Sequence, residues 1–530
     1  MLFYSNMGLK NSLILMLILN SVRLVCQEKP NILWLVCEDQ SLFFAPYGDS
    51  NAYTPNINQL ANEGTVYENC FSVSPVCSPS RSSIITGMYP TSIGTQNMRS
   101  YKKNTKGKKN HLELPYYSPI PNRDIQFFTE LMRLNGYYCS NNSKEDYNMM
   151  ASPLAWDESS INAHWRNREK NQPFFSVFNF NVTHESKIWK KDINSKFNQK
   201  TIDLPKIFPD LDDIKNDFRV NYSNIERLDQ QIGKLIQELK KDNLYENTII
   251  FFFSDHGGPF PRYKRSIYDT GIRCPLIIKW INQKDNSRNN QLISFVDFAP
   301  TMLDISGIKS SITMEGISFF NKNFREYIFA ATDRFDESVD QRRCVRTKKF
   351  KLILNLDTSS SIGKENNYRK QMKTMQVLDS LNDNDLISGY FKKWYQPTKN
   401  KFEFYDISKD PFELKNLFND SNYAYEIKEH MSQLNKWMNS SEFCNISERE
   451  MLKQMFQEDY KPRKLNPPII ENTNKGLVIL SKNNGTSIGY RKKGDNKWNI
   501  YTTDSRINYV NETEIIMFKP GYELFYKLID

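Results

Sequence analysis

The segment best suited to carry chemistry is the stretch Cys77–Gly87, which reads CSPSRSSIITG. Pro79 lies where the first turn of a helix tolerates proline, because the missing N–H has no partner there in any case. Ile84 covers one side of the helix, and Gly87 ends it. We therefore expect Cys77 at a helix N-terminus, where free amides and the helix dipole favour developing negative charge. Arg81 follows one turn later and can reach back toward that charge. The alternative is a buried cysteine that begins an ordinary helix.

Acidic and histidine side chains follow several apolar runs of the chain. Glu38 and Asp39 come directly after NILWLVC, Asp255 and His256 come after TIIFFFS, and His184 comes shortly after FFSVFNFN. Neighbouring carboxylates repel each other unless a cation lies between them, and carboxylate oxygens suit Ca²⁺ or Mg²⁺. Nitrogen is a poor calcium ligand, so His256 is either a ligand or a hydrogen-bond donor at the site. A solvated acidic turn is the alternative for Glu38 and Asp39.

The apolar runs themselves are typical of buried strands. They are short and bounded by polar residues, as in strands that are covered on both faces of a sheet. Amphipathic stretches with helical spacing lie between them, which predicts an α/β fold with a large mixed, mostly parallel sheet flanked by helices. Sites in such sheets gather at the carboxyl ends of the strands. The predicted strands are Asn31–Cys37, Phe174–Asn181, Thr248–Phe253 and Cys274–Trp280, and the predicted helices are Asp124–Asn135, Ser223–Lys241 and Val296–Ser306.

The pattern changes toward the C-terminus. Lys349–Leu356 is typical of a strand, and a polar helical stretch and the segment Phe402–Leu417 follow it. After the linker Lys461–Pro468, short strands and turns predict a small β-sandwich whose role is packing or carbohydrate contact. The predicted domains are a catalytic domain at 27–345, a smaller antiparallel-sheet subdomain at 346–460 and an accessory β module at 469–530.

Composition and the N-terminal residues indicate a soluble protein of the secretory pathway. The chain has 530 residues, enough for two or three domains, and 39% of them are hydrophobic. Asn11–Val22 is an apolar run too short to span a bilayer and is typical of a signal peptide at 1–26. A membrane anchor or a buried N-terminal strand is the alternative for this run. Cys37 and Cys274 lie in apolar runs and are predicted to be buried thiols.

The formal net charge is +10, and the most concentrated basic run is Tyr101–Asn110, which reads YKKNTKGKKN. A basic loop near a site that cleaves an anion would attract a polyanion. Lysine and asparagine are common throughout the chain, so a solvated surface loop explains the same run equally well.

Several segments together resemble the type I sulfatases, which are formylglycine-dependent enzymes with an alkaline-phosphatase-like fold. Cys77–Gly87 resembles their signature C-x-P-S-R-x-x-L-x-T-G, with Ile84 in place of leucine. Pro30–Asp39 resembles their opening P-N-I-L-x-x-x-x-D-D, with Glu38 in place of the first aspartate. Phe402–Leu417 resembles E-L-Y-D-L-x-x-D-P-x-E-x-x-N-L, which closes the family's C-terminal subdomain. The resemblance implies hydrolysis of sulfate esters or N-sulfates.

The resemblance also implies a modified nucleophile and a metal ion. Cys77 would be oxidised to formylglycine by the formylglycine-generating enzyme, and a hydroxyl of the aldehyde hydrate would attack sulfur. The second hydroxyl would expel sulfate, which a plain serine or cysteine could not do. A single Ca²⁺ would polarise the sulfate and lower the pKa of the attacking hydroxyl. Its ligands would be Glu38, Asp39, Cys77, Asp255 and His256.

The family's remaining site residues match four further positions. Lys144 lies in YYCSNNSKEDYN, where many sulfatases have G-K-x-H, and the histidine position is occupied by Asp146, or by Tyr147 with a shift of one. Lys264 follows the segment SDHG, and the arginines beside it are predicted to be solvated or structural. His184 would assist departure of the alcohol or amine. The residues that would bind sulfate or balance its charge are Arg81, Lys144, His184 and Lys264.

The departure near Lys144 and several aromatic segments resemble most the branch of the family that contains heparan N-sulfatase, or N-sulfoglucosamine sulfohydrolase. These segments include Trp156 and Ala163–Arg166, and their aromatic residues suggest a sulfated sugar as the substrate. A heparan-type glycosaminoglycan is the leading substrate by this resemblance, and secretion or a lysosomal location is the implied destination. We expect no nucleic-acid partner and no membrane span after removal of the signal peptide, and a homodimer is compatible with the sequence.

Two other functions compete with this prediction. The first is a phosphate or phosphonate ester hydrolase on the same fold, which shares the calcium and nucleophile geometry. The second is a non-catalytic glycan-binding homologue with a decayed site. Decay would have altered the Cys77 signature, the carboxylates or Lys264, and all of these are present.

Overall fold

The structure is a computed structural model, and it describes residues 29–102, 108–110, 112–190, 201–281, 286–310, 312–320, 324–456, 461–474, 476–505, 507 and 511–529. The predicted signal peptide lies outside these residues, as do Lys103 and Lys106 of the basic run. Within the described ranges, no helix has the length and apolar character needed to cross a membrane.

An eight-stranded mixed sheet forms the centre of the fold. Its strands in chain order are β1 Asn31–Cys37, β2 Thr65–Phe71, β3 Tyr138–Asn142, β4 Glu158–Ser159, β5 Phe174–Phe180, β6 Thr248–Ser254, β7 Arg273–Lys279 and β8 Ser287–Ser294. The spatial order is β4-β3-β5-β1-β6-β7-β2-β8. β1 pairs in parallel with both β5 and β6, whereas β7 is antiparallel to its neighbours β6 and β2. The predicted class, a mixed and mostly parallel sheet, is confirmed.

The apolar composition of the central strands follows from their burial on both faces. Every residue of β1 and of β6 is buried. Leu33 and Leu35 of β1 belong to the hydrophobic core on one side of the sheet. Trp34 belongs to the core on the other side, where its ring meets Phe175 and Phe253 edge-on. Helices on both faces contribute to these two cores, so the sheet lies between two packed layers.

The helices broadly follow the predicted periodicity. The helix predicted at Ser223–Lys241 begins earlier, at Asp212, because Ile214 and Phe218 extend its buried stripe toward the N-terminus. Two acidic residues in its first turn favour this start through the helix dipole. The α-helices of the described residues are Pro55–Asn62, Cys77–Thr86, Pro90–Ile93, Phe128–Leu134, Asp212–Lys241, Asp269–Ile272, Phe298–Ile305, Lys373–Asp383, Gly389–Trp394, Ala424–Ser440 and Glu448–Met455.

A second, antiparallel sheet follows the central one. Its strands are β9 Ile328–Phe335, β10 Ser338–Arg346, β11 Phe350–Asn355 and β12 Phe402–Asp406, in the order β12-β11-β10-β9. The helix Ala424–Ser440 packs against this sheet through Leu434 and Trp437. β9 and β10 lie before the predicted domain boundary at 346, but they belong to the same sheet as β11, because β10 pairs with both β9 and β11. The domain boundaries themselves stay a prediction.

The C-terminal residues form two small antiparallel sheets. One pairs β13 Ile469–Thr473 with β14 Gly476–Leu480, and the other has β15 Ser487–Lys492, β16 Asn499–Ile500, β17 Thr513–Phe518 and β18 Phe525–Ile529. This module contacts the central domain directly. Lys519 Nζ lies 3.0 Å from Asp124 Oδ1, and the Arg133 guanidinium donates to the Trp498 carbonyl at 2.6 Å. These contacts favour the packing interpretation of the module.

All seven cysteines of the described residues are buried free thiols. Cys37 lies in β1 and Cys274 lies in β7, so both are in buried strands of the central sheet, as their apolar runs predict. Burial raises the pKa of both thiols well above the ordinary value. These two cysteines are therefore unreactive parts of the core.

Candidate active site

The carboxyl ends of β1 and β6 bring two predicted metal ligands together. These strands are adjacent and parallel, with Cys37 opposite Ser254, so the residues that follow each strand meet at the same edge. The backbone N–H of Asp39 donates to Asp255 Oδ1 at 3.2 Å, although the two residues are 216 positions apart in the chain. Both side chains are fully buried. The parallel register of β1 and β6 thus brings Asp39 and Asp255 together, although they are distant in sequence.

Asp39 is held in an unusual backbone conformation. Its φ is +55°, in the left-handed region that non-glycine residues rarely adopt. The surrounding hydrogen bonds fix it there, because its N–H donates to Asp255 and its Oδ2 accepts from the backbone N–H of Glu185 at 2.7 Å. Such strain is typical of residues whose side chain must point in one functional direction.

The predicted metal ligands form two overlapping clusters around residue 77. Within each cluster, the ligand atoms all lie within 4.8 Å of one another. His256 Nε2 lies 3.0 Å from Asp39 Oδ1, 3.8 Å from Asp255 Oδ1 and 3.4 Å from Cys77 Sγ. The clusters are Glu38, Asp39, Cys77 and His184, and Asp39, Cys77, Asp255 and His256.

This donor set fits a divalent cation. The carboxylates supply the hard oxygen atoms that calcium prefers. His256 Nδ1 lies 2.9 Å from the Gly257 carbonyl oxygen, which can only accept a hydrogen bond. Nδ1 therefore carries a hydrogen, and Nε2 is the nitrogen that faces the carboxylates. Metal-binding histidines are commonly oriented by such a carbonyl.

The electrostatics keep both aspartates ionised. Burial opposes ionisation, but Lys264 and the two neighbouring histidines hold the pKa of Asp39 well below its ordinary value. His256 and Arg81 outweigh burial in the same way and lower the pKa of Asp255 to about 2. Both carboxylates are therefore charged at neutral pH and ready to bind a cation.

The nucleophile segment is a buried helix that begins at residue 77. The helix spans Cys77–Thr86 and ends at Gly87, whose φ is +70° and whose N–H donates to the Ser83 carbonyl at 2.8 Å. The predicted start and end of this helix are confirmed. Cys77 Sγ lies 3.9 Å from Asp39 Oδ1 and at the positive end of the helix dipole, which is the place predicted for the reactive group. The residues around it therefore fit a hydrated aldehyde that attacks an anion.

Arg81 contacts Asp255, a predicted metal ligand, from one turn into this helix. Its Nε lies 3.1 Å from Asp255 Oδ2, and its Nη1 donates to Asn179 Oδ1 at 2.7 Å. Nη2 is buried without a hydrogen-bond partner among the described residues. Arg81 therefore orients Asp255 and keeps one buried donor for a further oxygen atom.

The two predicted sulfate-binding lysines reach the cluster from different elements. Lys264 is buried, with Nζ 2.6 Å from Asp39 Oδ2 and 3.0 Å from Glu185 Oε1. Lys144 Nζ lies 2.7 Å from Glu38 Oε2, and 25% of its side chain is exposed. Burial opposes the charge of Lys264, but Asp39 raises its pKa well above the ordinary value. Both lysines are thus cationic beside residue 77.

His184 completes the cluster on the side of β5. It follows the short 3₁₀ helix Asn181–Thr183, which continues directly from that strand. Its Nε2 lies 3.5 Å from Lys264 Nζ and 3.9 Å from Asp39 Oδ2, while Nδ1 lies 2.9 Å from Ser186 Oγ. Burial lowers the pKa of His184 below its ordinary value. All nine sequence-predicted site residues therefore lie at one place, and their individual roles stay predictions.

Comparison with known proteins identifies the family. The family model described as Sulfatase matches residues 30–308, which is more than half of the chain. This chain belongs to the sulfatase family. A second model, described as N-sulphoglucosamine sulphohydrolase, C-terminal, matches residues 259–376 of this sulfatase. The sequence-based resemblance to the type I sulfatases is confirmed, and the protein is a sulfuric ester hydrolase.

Curated relatives and solved structures agree with this assignment. The sulfatase is 37% identical over 542 residues to an Ulvan-active sulfatase of Formosa agariphila, covering 94% of this chain and 90% of the relative. It is 22% identical over 463 residues to N-sulphoglucosamine sulphohydrolase of Homo sapiens, covering 78% and 91%. A solved structure in complex with its substrate D-glucosamine-2-N,6-O-disulfate matches with a TM-score of 0.54 and 19% identity, covering 80% of this chain and 100% of that one. This structural likeness shows the fold.

The sulfatase site contains residues that the sequence did not indicate. Glu185 is buried between Lys264 and Arg265, with Arg265 Nη2 2.9 Å from its Oε1. Arg265 also lies 3.2 Å from Asp336 Oδ2. The arginines beside Lys264 are therefore structural, and the solvated alternative is wrong. Only the adjacency of Glu185 to His184 could have drawn attention to it, because its partners are distant in sequence.

The side chain of Asp146 lies beside the nucleophile helix of the sulfatase. Ser78 Oγ donates to Asp146 Oδ1 at 2.6 Å, and Lys144 Nζ lies 3.7 Å from Asp146 Oδ2. Tyr147, the other candidate for this position, is buried in the apolar core. The chain thus places a carboxylate where many sulfatases have a histidine, which alters the charge next to Lys144.

The tryptophans that suggested a sugar substrate are core residues. Trp156 stacks on Phe175 with ring centroids 5.9 Å apart. Trp165 is fully buried, and its Nε1 donates to Asp242 Oδ2 at 2.8 Å. Trp165 therefore serves packing, whereas Trp156 also lines a small cavity together with Arg81 and Lys144, and the sugar interpretation stays a prediction. Aromatic residues in a short segment do not by themselves distinguish packing from ligand contact.

Replacement of His184 by glutamine is expected to slow hydrolysis of alkyl and sugar sulfates by a factor on the order of 10²–10³. A poor leaving group needs a proton as the bond to sulfur breaks, whereas a nitrophenolate needs little assistance. The ratio of kcat for sugar sulfates to kcat for aryl sulfates should therefore fall. The matched control is His164, which pairs with Glu238 at 3.4 Å and is not among the site residues. Equal losses for both leaving groups would show that His184 does not protonate the leaving oxygen.

Proposed function

We propose that this sulfatase removes sulfate groups from the sugars of a sulfated polysaccharide, using a formylglycine derived from Cys77 and one Ca²⁺. The observation that carries this proposal is the position of residue 77. It begins a buried helix inside a cluster of three carboxylates and His256, with Lys144 and Lys264 beside it. This arrangement offers a nucleophile, a cation site and anion-binding groups at one point.

The buried carboxylates and His256 support the proposed cofactors. When bound, Ca²⁺ would supply a Lewis acid that polarises a sulfate oxygen and acidifies a neighbouring hydroxyl. The formylglycine would supply two hydroxyls on one carbon, where a cysteine has a single thiol. The residues that would hold the ion are Glu38, Asp39, Asp255, His256 and residue 77.

The chain's own side chains would bind and orient the sulfate. Lys264 and Lys144 stay charged beside residue 77 and would neutralise sulfate oxygens. Arg81 would hold Asp255 in place and offer its unpaired Nη2 to an oxygen atom. His184, half-buried at the edge of the cluster, would act in its protonated form, and this imidazolium would hand a proton to the departing sugar oxygen or nitrogen. The buried position of the other groups would exclude water from the reacting sulfur.

The names of the relatives support a polysaccharide substrate. The relative that is 37% identical over nearly the whole chain is an Ulvan-active sulfatase, whereas the N-sulphoglucosamine sulphohydrolase is 22% identical. Ulvan oligosaccharides and heparan-type oligosaccharides are therefore the two substrate classes to compare. Entry into the secretory pathway and maturation by a formylglycine-generating enzyme are part of the same proposal.

Purified enzyme should release sulfate from at least one of these two oligosaccharide classes, with a kcat/KM on the order of 10²-fold above that for an aryl phosphate. The cation site and the anion-binding lysines suit both esters, so the comparison separates a sulfatase from a phosphate or phosphonate hydrolase. Released sulfate and phosphate are measured by ion chromatography on matched substrates. Preference for the phosphate ester, or no release from either oligosaccharide class, would contradict the proposal.

A further inference from the structure

Two aromatic side chains at the edge of the site have no part in the chemistry described above. The ring of Tyr368 lies beside the ring of His184, with centroids 6.4 Å apart and an interplanar angle of 63°. The ring of Trp189 meets Tyr368 edge-on at 5.2 Å. Both residues are partly exposed. A partly open pair of aromatic rings thus adjoins the histidine that faces the leaving group.

A charged pair continues from these rings around the site. The guanidinium of Arg265 lies 6.0 Å from the Tyr368 ring and pairs with Asp336 at 3.2 Å. Asp336 also contacts Arg99, whose Nη1 lies 3.5 Å from Asp336 Oδ1. The side chain of Arg99 is 53% exposed. Tyr368, Arg265, Asp336 and Arg99 therefore follow one another along one edge of the site.

Arg99 combines an unusual backbone conformation with an exposed side chain. Its φ is +55°, a conformation that costs energy in a non-glycine residue and that is concentrated at ligand sites. A single exposed contact at 3.5 Å offers little stability in return. Burial opposes its charge, but Asp336 raises the pKa of Arg99, so the guanidinium stays charged. With about half of this side chain exposed, an anion from solvent can reach it.

We propose that Tyr368 and Trp189 pack against the sugar ring that leaves the sulfate, and that Arg99 binds an acidic group on the adjoining sugar. Aromatic rings offer a flat apolar surface to the carbon-bound hydrogens of a sugar, and guanidinium groups bind carboxylates and sulfates through paired hydrogen bonds. The substrate class is thus a polyanionic chain with an acidic group next to the scissile sulfate. This inference rests on the proposed function.

The test compares three matched oligosaccharides and one small substrate. In the first oligosaccharide the sugar next to the scissile sulfate is a uronate, and in the second it carries another sulfate. In the third it is the uronate sugar with its carboxyl group reduced to an alcohol. The small substrate is an aryl sulfate without a sugar. The native enzyme should prefer an acidic neighbour over the reduced one by about tenfold in kcat/KM, which corresponds to about 1.4 kcal/mol. The two acidic oligosaccharides distinguish a carboxylate from a sulfate as the partner of Arg99.

Substitution of Arg99 by glutamine should remove this preference. The matched control is Arg123→Gln, because Arg123 is also partly exposed and its Nη1 also lies 3.5 Å from a carboxylate, that of Glu315. The control should keep the full preference. An Arg99→Gln enzyme that keeps the preference for an acidic neighbour would overturn the assignment of this residue.

Substitution of Tyr368 or Trp189 by leucine should raise KM for all three oligosaccharides by about tenfold, and by far less for the aryl sulfate. Tyr425→Leu, at a tyrosine that is 78% exposed on the C-terminal subdomain, is the matched control. Equal effects on sugar and aryl substrates would overturn the stacking role. Binding of the oligosaccharides to a Cys77→Ala protein, measured by calorimetry, repeats each comparison without turnover. If the native enzyme releases sulfate but these comparisons fail, the inference fails and the proposed function stands.

Discussion

Substitution of Cys77 by alanine is expected to abolish sulfate release, with a loss in kcat on the order of 10⁴-fold or more, while the protein stays folded. Residue 77 is the position of the proposed nucleophile, and no other side chain of the cluster can form and release a sulfated intermediate. The loss of one buried sulfur should cost only about 1 kcal/mol of unfolding free energy. Sulfate release and thermal unfolding, measured on the same preparation, check both parts.

The control for Cys77 is a second buried cysteine outside the site. Cys344 is fully buried in the antiparallel sheet, so Cys344→Ala should cost similar stability and leave sulfate release intact. A Cys77→Ser protein should turn over once at most and keep sulfate on the serine, because serine lacks the second hydroxyl. Peptide mass spectrometry should find an aldehyde at residue 77 of the native enzyme. An unmodified thiol in fully active enzyme would refute the proposed chemistry.

Substitution of Asp255 by asparagine is expected to remove calcium binding and to lower kcat/KM by a factor on the order of 10³. Asp255 is fully buried, its Oδ1 accepts from the backbone of Asp39, and its Oδ2 faces Arg81. Asparagine keeps the shape but removes the charge that attracts the cation. Alanine would leave the buried Arg81 without its partner, at a cost of about 3–5 kcal/mol, so asparagine is the cleaner variant.

Calcium content and thermal unfolding test this prediction independently of activity. The native enzyme should bind one Ca²⁺ and unfold at a higher temperature with calcium than with a chelator, because a ligand that binds only the folded state stabilises it. The Asp255→Asn protein should show neither effect. Asp333→Asn is the matched control. Asp333 is a buried carboxylate outside the cluster, and its Oδ1 lies 2.8 Å from Arg343 Nη2. Full calcium binding by the Asp255→Asn protein would show that this carboxylate is not a ligand.

The sequence by itself determined the centre of the site and the class of the fold. The apolar runs that end at Cys37 and Ser254 are buried strands of the central sheet, and the polar residues after them meet at its carboxyl edge. The helix from Cys77 to Gly87 could also be predicted, since proline tolerance, apolar spacing and a terminal glycine act within one short segment. These features depend on residues that are close together in the chain, so they can be predicted from a single sequence.

Only the tertiary structure decided which other side chains support or surround the site. Glu185 joins Lys264 to Arg265, and Tyr368 comes to His184 from a distant part of the chain. The tertiary structure also removed a candidate, because Trp165 is buried in the core although its segment suggested contact with a sugar. The physical reason is that burial and pairing depend on which strands and loops become neighbours. Sheet order and register set those neighbours, and no short segment of the sequence contains that information.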